Sequence, residues 1–163
     1  MYHLRHGSQP ANGPEYTYMG DDYPRVWDID LGDPVVMPFE PSRHYSLDTY
    51  DGFADWEAMV PGGGLIYLGK KRRPFSISMF HQLRCLGVFR NSILNHSISG
   101  IERPPYQLLH HCANYLRQMI LCRADITLEQ TFSAPTKIKN AQICKNWERV
   151  YEEQKLNHGG KIG

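Results

Sequence analysis

The chain has 163 residues, 18 Lys and Arg against 17 Asp and Glu for a net charge of +1, and 41% hydrophobic with 12% aromatic residues. That length and balance fit one soluble globular domain over 23–156, between a flexible segment 1–22 and a frayed tail 157–163. Near-neutral charge argues against a nucleic-acid surface, which needs a basic stripe, and no apolar run approaches the length of a membrane span.

Met1 to Gly20 is polar and rich in Gly, Pro and His, without the charged-then-apolar pattern of a leader. From Pro24 to Lys70 the pattern is broken by Pro34, Pro38, Pro41 and Pro61, which predicts loops, small strands at Asp33 to Phe39 and Leu65 to Leu68, and a short helix at Phe53 to Met59. Gly62-Gly63-Gly64 lacks the Lys-Ser/Thr of a phosphate loop and reads as a flexible turn. Lys70-Lys71-Arg72-Arg73, ahead of Pro74, reads as a solvated turn.

The second half is helical. Ser78 to Asn95 carries Met79, Leu83, Leu86, Phe89, Ile93 and Leu94 at helical spacing, ending near Ser99-Gly100. The next helix opens at Pro104-Pro105 and runs to about Ala124. Tyr106, Leu109, Ala113, Leu116 and Ile120 form one apolar face and Leu108, His111, Cys112, Tyr115 and Met119 a second, so the helix is expected to be central. A last helix, Ile138 to about Lys155, is expected to turn Cys144 and Trp147 inward and Lys145, Glu148, Arg149, Glu152 and Glu153 outward. The fold class is therefore mainly α with a small irregular β/loop N-terminal portion (α+β), and a helical core of about three helices.

Two segments carry the chemistry: His81-Gln82-Leu83-Arg84-Cys85 and Leu108-Leu109-His110-His111-Cys112. Helical positions i, i+3 and i+4 share a face, so His81, Arg84 and Cys85 line one stripe and Leu108, His111 and Cys112 another. Facing each other, the stripes would make a pocket. A pocket-facing Arg84 needs a partner, for which Asp125, Glu129 or a ligand's carbonyl or anion would serve. Cys85, Cys112, Cys122 and Cys144 allow three pairings, and their spacing favours two disulfides over a zinc site. Disulfides would place the protein in the secretory-pathway lumen or a vesicle, as would the sequon Asn95-His96-Ser97, whereas four reduced thiols would place it in the cytoplasm. Cys85 and Cys112 are suited to bridge the two helices and brace the pocket.

These segments resemble the two HxxHC motifs of the UstYa-like family of fungal secondary-metabolism proteins. The likeness takes in Phe80 to Leu86 with Arg90, then Tyr115-Leu116-Arg117-Gln118, Cys122-Arg123-Ala124-Asp125, Cys144-Lys145-Asn146-Trp147, Trp56 and Pro61-Gly62-Gly63-Gly64. The resemblance implies oxidases that cyclise, hydroxylate or halogenate precursors, with copper, behind an N-terminal membrane anchor. Arg84, Leu108 and Gln142 stand where the family pattern has histidines. Arg84 cannot ligate a metal, because its guanidinium stays protonated.

The reading that follows is a tailoring enzyme that closes a ring in a bound small-molecule biosynthetic intermediate by redox-neutral acid/base and hydrogen-bond catalysis, without a cofactor. His81, Arg84, His111 and Tyr115 would be catalytic, and Leu108, Met119 and Asp125 would bind substrate. Two alternatives are a copper oxidase using His81, His110 and His111, and a non-catalytic partner of a homologous oxidase in a heterodimer; a homodimer is also compatible.

Overall fold

A computed structural model of the protein describes residues 15–38, 42–94, 103–128 and 141–159. Its elements in chain order are β1 (Val35–Pro38), α1 (Tyr50–Ala58), a 3-10 turn (Pro61–Gly64), β2 (Leu65–Leu68), β3 (Arg73–Ser76), α2 (Ser78–Leu94), α3 (Tyr106–Arg123), β4 (Ala141–Cys144) and α4 (Trp147–Gly159). β1 pairs with β4 and β2 with β3, so the described residues are mainly helical with a small β portion, as the sequence predicts. They form two compact units, one of residues up to Met37, Ile66–Phe75 and from Ile143, the other of Pro38–Leu65 and Ser76–Gln142.

In the first unit the basic run is more than a solvated turn. Lys70 and Lys71 are exposed, but Arg72 donates to Asn157 O and lies over the Tyr67 ring, while Arg73 donates to the carbonyls of Tyr18 and Gly20. The turn closes through Arg72 N to Gly69 O, with Gly69 at φ +72°, and β3 begins at Arg73 where the sequence reading had no strand. Asn157 stitches α4 to β2: its amide accepts from Tyr67 N at 2.7 Å and donates to Tyr67 O at 2.8 Å. The expected last helix is shorter at its start and longer at its end. Ala141–Cys144 is a strand because it pairs with β1, and α4 starts only after Asn146, whose Oδ1 accepts from Arg149 N as a helix cap does. Trp147, expected inside, is 41% exposed. Arg149 reaches Glu152 and Glu153 on the charged face.

The second unit holds α1, α2 and α3. Thr49 caps α1 by accepting from Gly52 N at 3.0 Å, and Trp56 Nε1 donates to Tyr45 O. α2 supplies most of this unit's core, burying Phe80, Cys85, Arg90 and Leu94. The Pro61–Gly64 segment is a built seat rather than a flexible turn. Gly62, Gly63 and Gly64 all have positive φ, and a Cβ on Gly64 would stand 2.6 Å from Cβ of Phe80. Only Cys112 of α3 is buried, and Ile120 and Leu121 are 70% and 64% exposed. Among the described residues α3 is thus packed on one side against α2, where its two apolar faces suggested a central helix. The sequon and Glu129 lie outside the described residues.

Candidate functional site

The surfaces of α2 and α3 meet along a line that four contacts define. Cys85 and Cys112 are joined by a disulfide with Cα atoms 5.0 Å apart. One turn toward the start of α2, His81 Nε2 lies 3.4 Å from His111 Nε2. A further turn back, Ser78 Oγ is 3.0 Å from the Tyr115 hydroxyl and 4.0 Å from Met119 Sδ. Moving backward along α2 thus moves forward along α3, so the helices run antiparallel.

The rings of His81, His111 and Tyr115 stack. His81 and Tyr115 have centroids 3.9 Å apart at 19°, His81 and His111 5.6 Å apart, and the His111 and Tyr115 ring planes are nearly parallel at 5°. Gln82 Nε2 donates to Ser78 Oγ at 3.0 Å and to Ser78 O at 3.2 Å. The first turn of α2 and the middle of α3 therefore carry one continuous polar cluster of Gln82, Ser78, Tyr115, His81 and His111. Partial burial, then the charges of Arg84 and His111, hold the His81 pKa below the usual imidazole value. The lowered value favours the neutral form of the His81 imidazole.

Other expected site residues stand elsewhere. Arg84 is exposed and donates through Nη1 to Gly63 O at 2.9 Å, so its partner is the glycine turn and not Asp125. Asp125 accepts from Thr127 N and Oγ1, which lowers its pKa. His110 faces away from the pair, with Nε2 3.1 Å from Asn114 Nδ2 and its ring stacked on Tyr106. Leu108 sits in the first turn of α3, 41% exposed. Met119 and Asp125 line an open groove of about 430 Å³ with Gln82, Ile120, Arg123 and Ala124, and Gln82 joins that groove to the ring cluster. Ser78 and Gln82 are the members that sequence reading missed. Their signal was a Ser opening a helix with Gln four residues on, which is usually read as local capping.

The cysteine expectation is met by half. Cys85–Cys112 is bridged, and Cys122 is an exposed free thiol.

Two metal bonds of about 2.0 Å at a tetrahedral angle span roughly 3.3 Å, close to the separation of the two imidazole nitrogens. No third His, Cys, Asp or Glu joins them among the described residues, since the bridge consumes both nearby sulfurs. The donor set fits an ion held by two imidazoles with its other positions open.

The family described as "Mycotoxin biosynthesis protein UstYa" matches residues 6–155. The chain belongs to the UstYa family. It is 42% identical over 53 residues to "Oxidase ustYa" of Aspergillus flavus, covering 32% of this chain and 25% of that protein. It is 29% identical over 80 residues to "UstYa family oxidase phomYb" of Diaporthe leptostromiformis, covering 46% and 32%, and 29% identical over 86 residues to "Hydroxylase cctR" of Talaromyces islandicus, covering 50% and 33%. The chain thus spans a third or less of the length of these relatives. No solved structure matches it. Among the described residues of this UstYa-family chain, no helix is long and apolar enough to cross a membrane.

Proposed function

We propose that this chain is a tailoring enzyme of fungal secondary metabolism, an oxidoreductase that acts on a small-molecule intermediate at His81 and His111. The observation that carries the reading is the approach of the two Nε2 atoms to 3.4 Å on antiparallel helices cross-linked one turn away. The names of these relatives, two oxidases and a hydroxylase, support the reaction class.

Copper, which the family resemblance implies, would be held by His81 and His111 and would supply one-electron chemistry when bound. The lowered proton affinity of His81 favours this, because protons compete with metals for imidazole. The disulfide fixes the spacing of the two helices. Tyr115 stacks on His81 and offers a hydroxyl to a ligand oxygen, and the groove at Met119 and Ile120 takes the apolar body of the intermediate. The disulfide also supports an oxidising compartment, the secretory lumen or a vesicle.

A second reading, redox-neutral ring closure, is favoured by the loss of imidazoles at Arg84 and Leu108. Of the histidines left, His81 and His111 converge on a single hydrogen, the arrangement of a shared acid and base. One experiment separates the readings. The protein is loaded with copper, supplied with pathway intermediates, and followed by O2 uptake and product mass. A product changed in mass by two hydrogens or one oxygen, with O2 consumed and lost on His81→Ala or His111→Ala, supports the oxidoreductase. An isomer of unchanged mass, formed without copper, replaces it with the cyclase. A chain that turns nothing over but co-purifies with a homologue is a non-catalytic partner.

A further inference from the structure

The polar cluster contains a hydrogen-bond chain that runs from Gln82 through Ser78 to Tyr115. Gln82 Nε2 sits 3.2 Å from the carbonyl oxygen of Ser78. A carbonyl only accepts, so the Gln82 atom facing it must be the amide nitrogen and not the amide oxygen. That same nitrogen lies 3.0 Å from Ser78 Oγ, which therefore accepts there as well. The one hydroxyl hydrogen of Ser78 is left for Tyr115 Oη at 3.0 Å or Met119 Sδ at 4.0 Å. Oxygen at the shorter distance is the stronger acceptor. With Ser78 donating to it, the Tyr115 hydroxyl cannot give its own hydrogen back to Ser78 and must aim it elsewhere.

We propose that Gln82 and Ser78 are positioning residues that hold the Tyr115 hydroxyl as an outward hydrogen-bond donor to an oxygen of the bound intermediate. This rests on the site assigned under the proposed function, and it names a ligand feature: a carbonyl, phenol or ether oxygen placed beside the His81 ring. Gln82 lines the groove along α3 as well as starting the chain, so a ligand body lying on Met119 and Ile120 reaches the donor that the chain has set. The placement of a fixed donor where charge builds on an oxygen is what gives such groups their effect on rate.

Gln82→Glu tests the direction at nearly constant size. A carboxylate cannot donate, so the Ser78 hydroxyl turns to it, and Tyr115 then donates to Ser78 and loses its outward hydrogen. The first readout needs no substrate. Ultraviolet resonance Raman difference spectra, each taken against the corresponding Tyr115→Phe protein, isolate the Fermi doublet of Tyr115, whose intensity ratio distinguishes an accepting from a donating phenol. The expected result is the ratio of a phenol that both accepts from Ser78 and donates outward in the native chain and the ratio of a phenol that only donates in Gln82→Glu, with Ser78→Thr retaining the native ratio and Ser78→Ala losing it. The second readout is turnover of the pathway intermediate that the copper-loaded native protein converts: kcat falls about 10- to 100-fold in Gln82→Glu and in Ser78→Ala with KM within about 3-fold, while Ser78→Thr keeps the native kcat. An identical doublet in native and Gln82→Glu protein overturns the proposal, as does a changed doublet with unchanged kcat. If the native chain converts no intermediate, the reaction assigned above is wrong, and the Raman arm alone then decides the direction of the chain.

Discussion

Removing the Cys85–Cys112 bridge should destabilise the protein by about 3.5 kcal/mol. The bridged residues are 27 apart in sequence, and closing a loop of that length removes roughly 12 cal/mol/K of entropy from the unfolded chain, which is about 3.5 kcal/mol at 25 °C. Both sulfurs are buried, at 1% and 2% exposure, so Cys85→Ala with Cys112→Ala also leaves a small void that adds to the loss. For a chain of this size the melting temperature should fall by roughly 7 to 14 °C. Urea unfolding of the oxidised native and doubly substituted proteins measures the difference. Because the bridge acts on the unfolded state, the urea m-value should rise when it is removed, as the unlinked chain exposes more surface. A loss below about 1 kcal/mol with an unchanged m-value would refute the entropic reasoning. Alkylation of Cys85 and Cys112 in native protein without reductant, at the rate of the exposed Cys122, would refute the bridge itself.

Four further outcomes follow from the same geometry. With the His81 pKa depressed, its contribution to stability is full above about pH 6.5, where the unfolded imidazole is neutral, and is lost as pH falls through the lower folded value; histidine NMR titration alongside thermal melts checks the sign. Arg84→Ala removes a positive charge near His81, so the same titration should show the His81 pKa moving up toward its ordinary value. Gly64→Ala should cost about 2 to 4 kcal/mol in urea unfolding, since alanine is strained at φ +69° and its methyl meets Phe80, whereas Gly63→Ala, with the same sign of φ and open space, should cost nearer 1 kcal/mol. His81→Ala and His111→Ala should each abolish copper binding measured by calorimetry, while His110→Ala should leave it intact because His110 faces Asn114.

The helices were legible because their signals are periodic: α2 begins at Ser78 as apolar spacing predicts, and α3 begins and ends within two residues of the Pro104-Pro105 start and the Ala124 end. β3 and β4 were not, since a strand of four residues exists only through its partner, and neither Arg73–Ser76 nor Ala141–Cys144 has an alternating run long enough to announce one. The site was legible in part. His81, His111 and Tyr115 fall on helical faces that sequence can phase, so their convergence could be anticipated. Arg84 could not be placed, because its partner is a backbone carbonyl in a turn more than twenty residues earlier, and no side-chain pattern marks a carbonyl. Nor could sequence show that α3 leaves Ile120 and Leu121 in solvent, since apolar periodicity reports what can be buried and not what is.

The antiparallel run of α2 and α3 gives the histidine losses a geometric order that the linear motifs hide. Aligned as text, the two five-residue motifs invite the pairing of equivalent positions, His81 with Leu108 and Arg84 with His111. Two antiparallel helices joined at equivalent positions, Cys85 and Cys112, approximate a two-fold arrangement that would exchange equivalent positions instead. The first position of one motif then meets the fourth position of the other, as His81 meets His111 at 3.4 Å. The mate of Arg84 under the same operation is Leu108. The two departures from the family motifs therefore belong to one symmetric half of the site, and both members of the other half are present. A scattered loss of two histidines would have left either motif half unable to form an imidazole pair. Here one pair is whole, with its stacked tyrosine and cross-link beside it, and in the other half Arg84 has turned its guanidinium to the glycine turn. That asymmetry argues for chemistry on the His81–His111 side of the bridge.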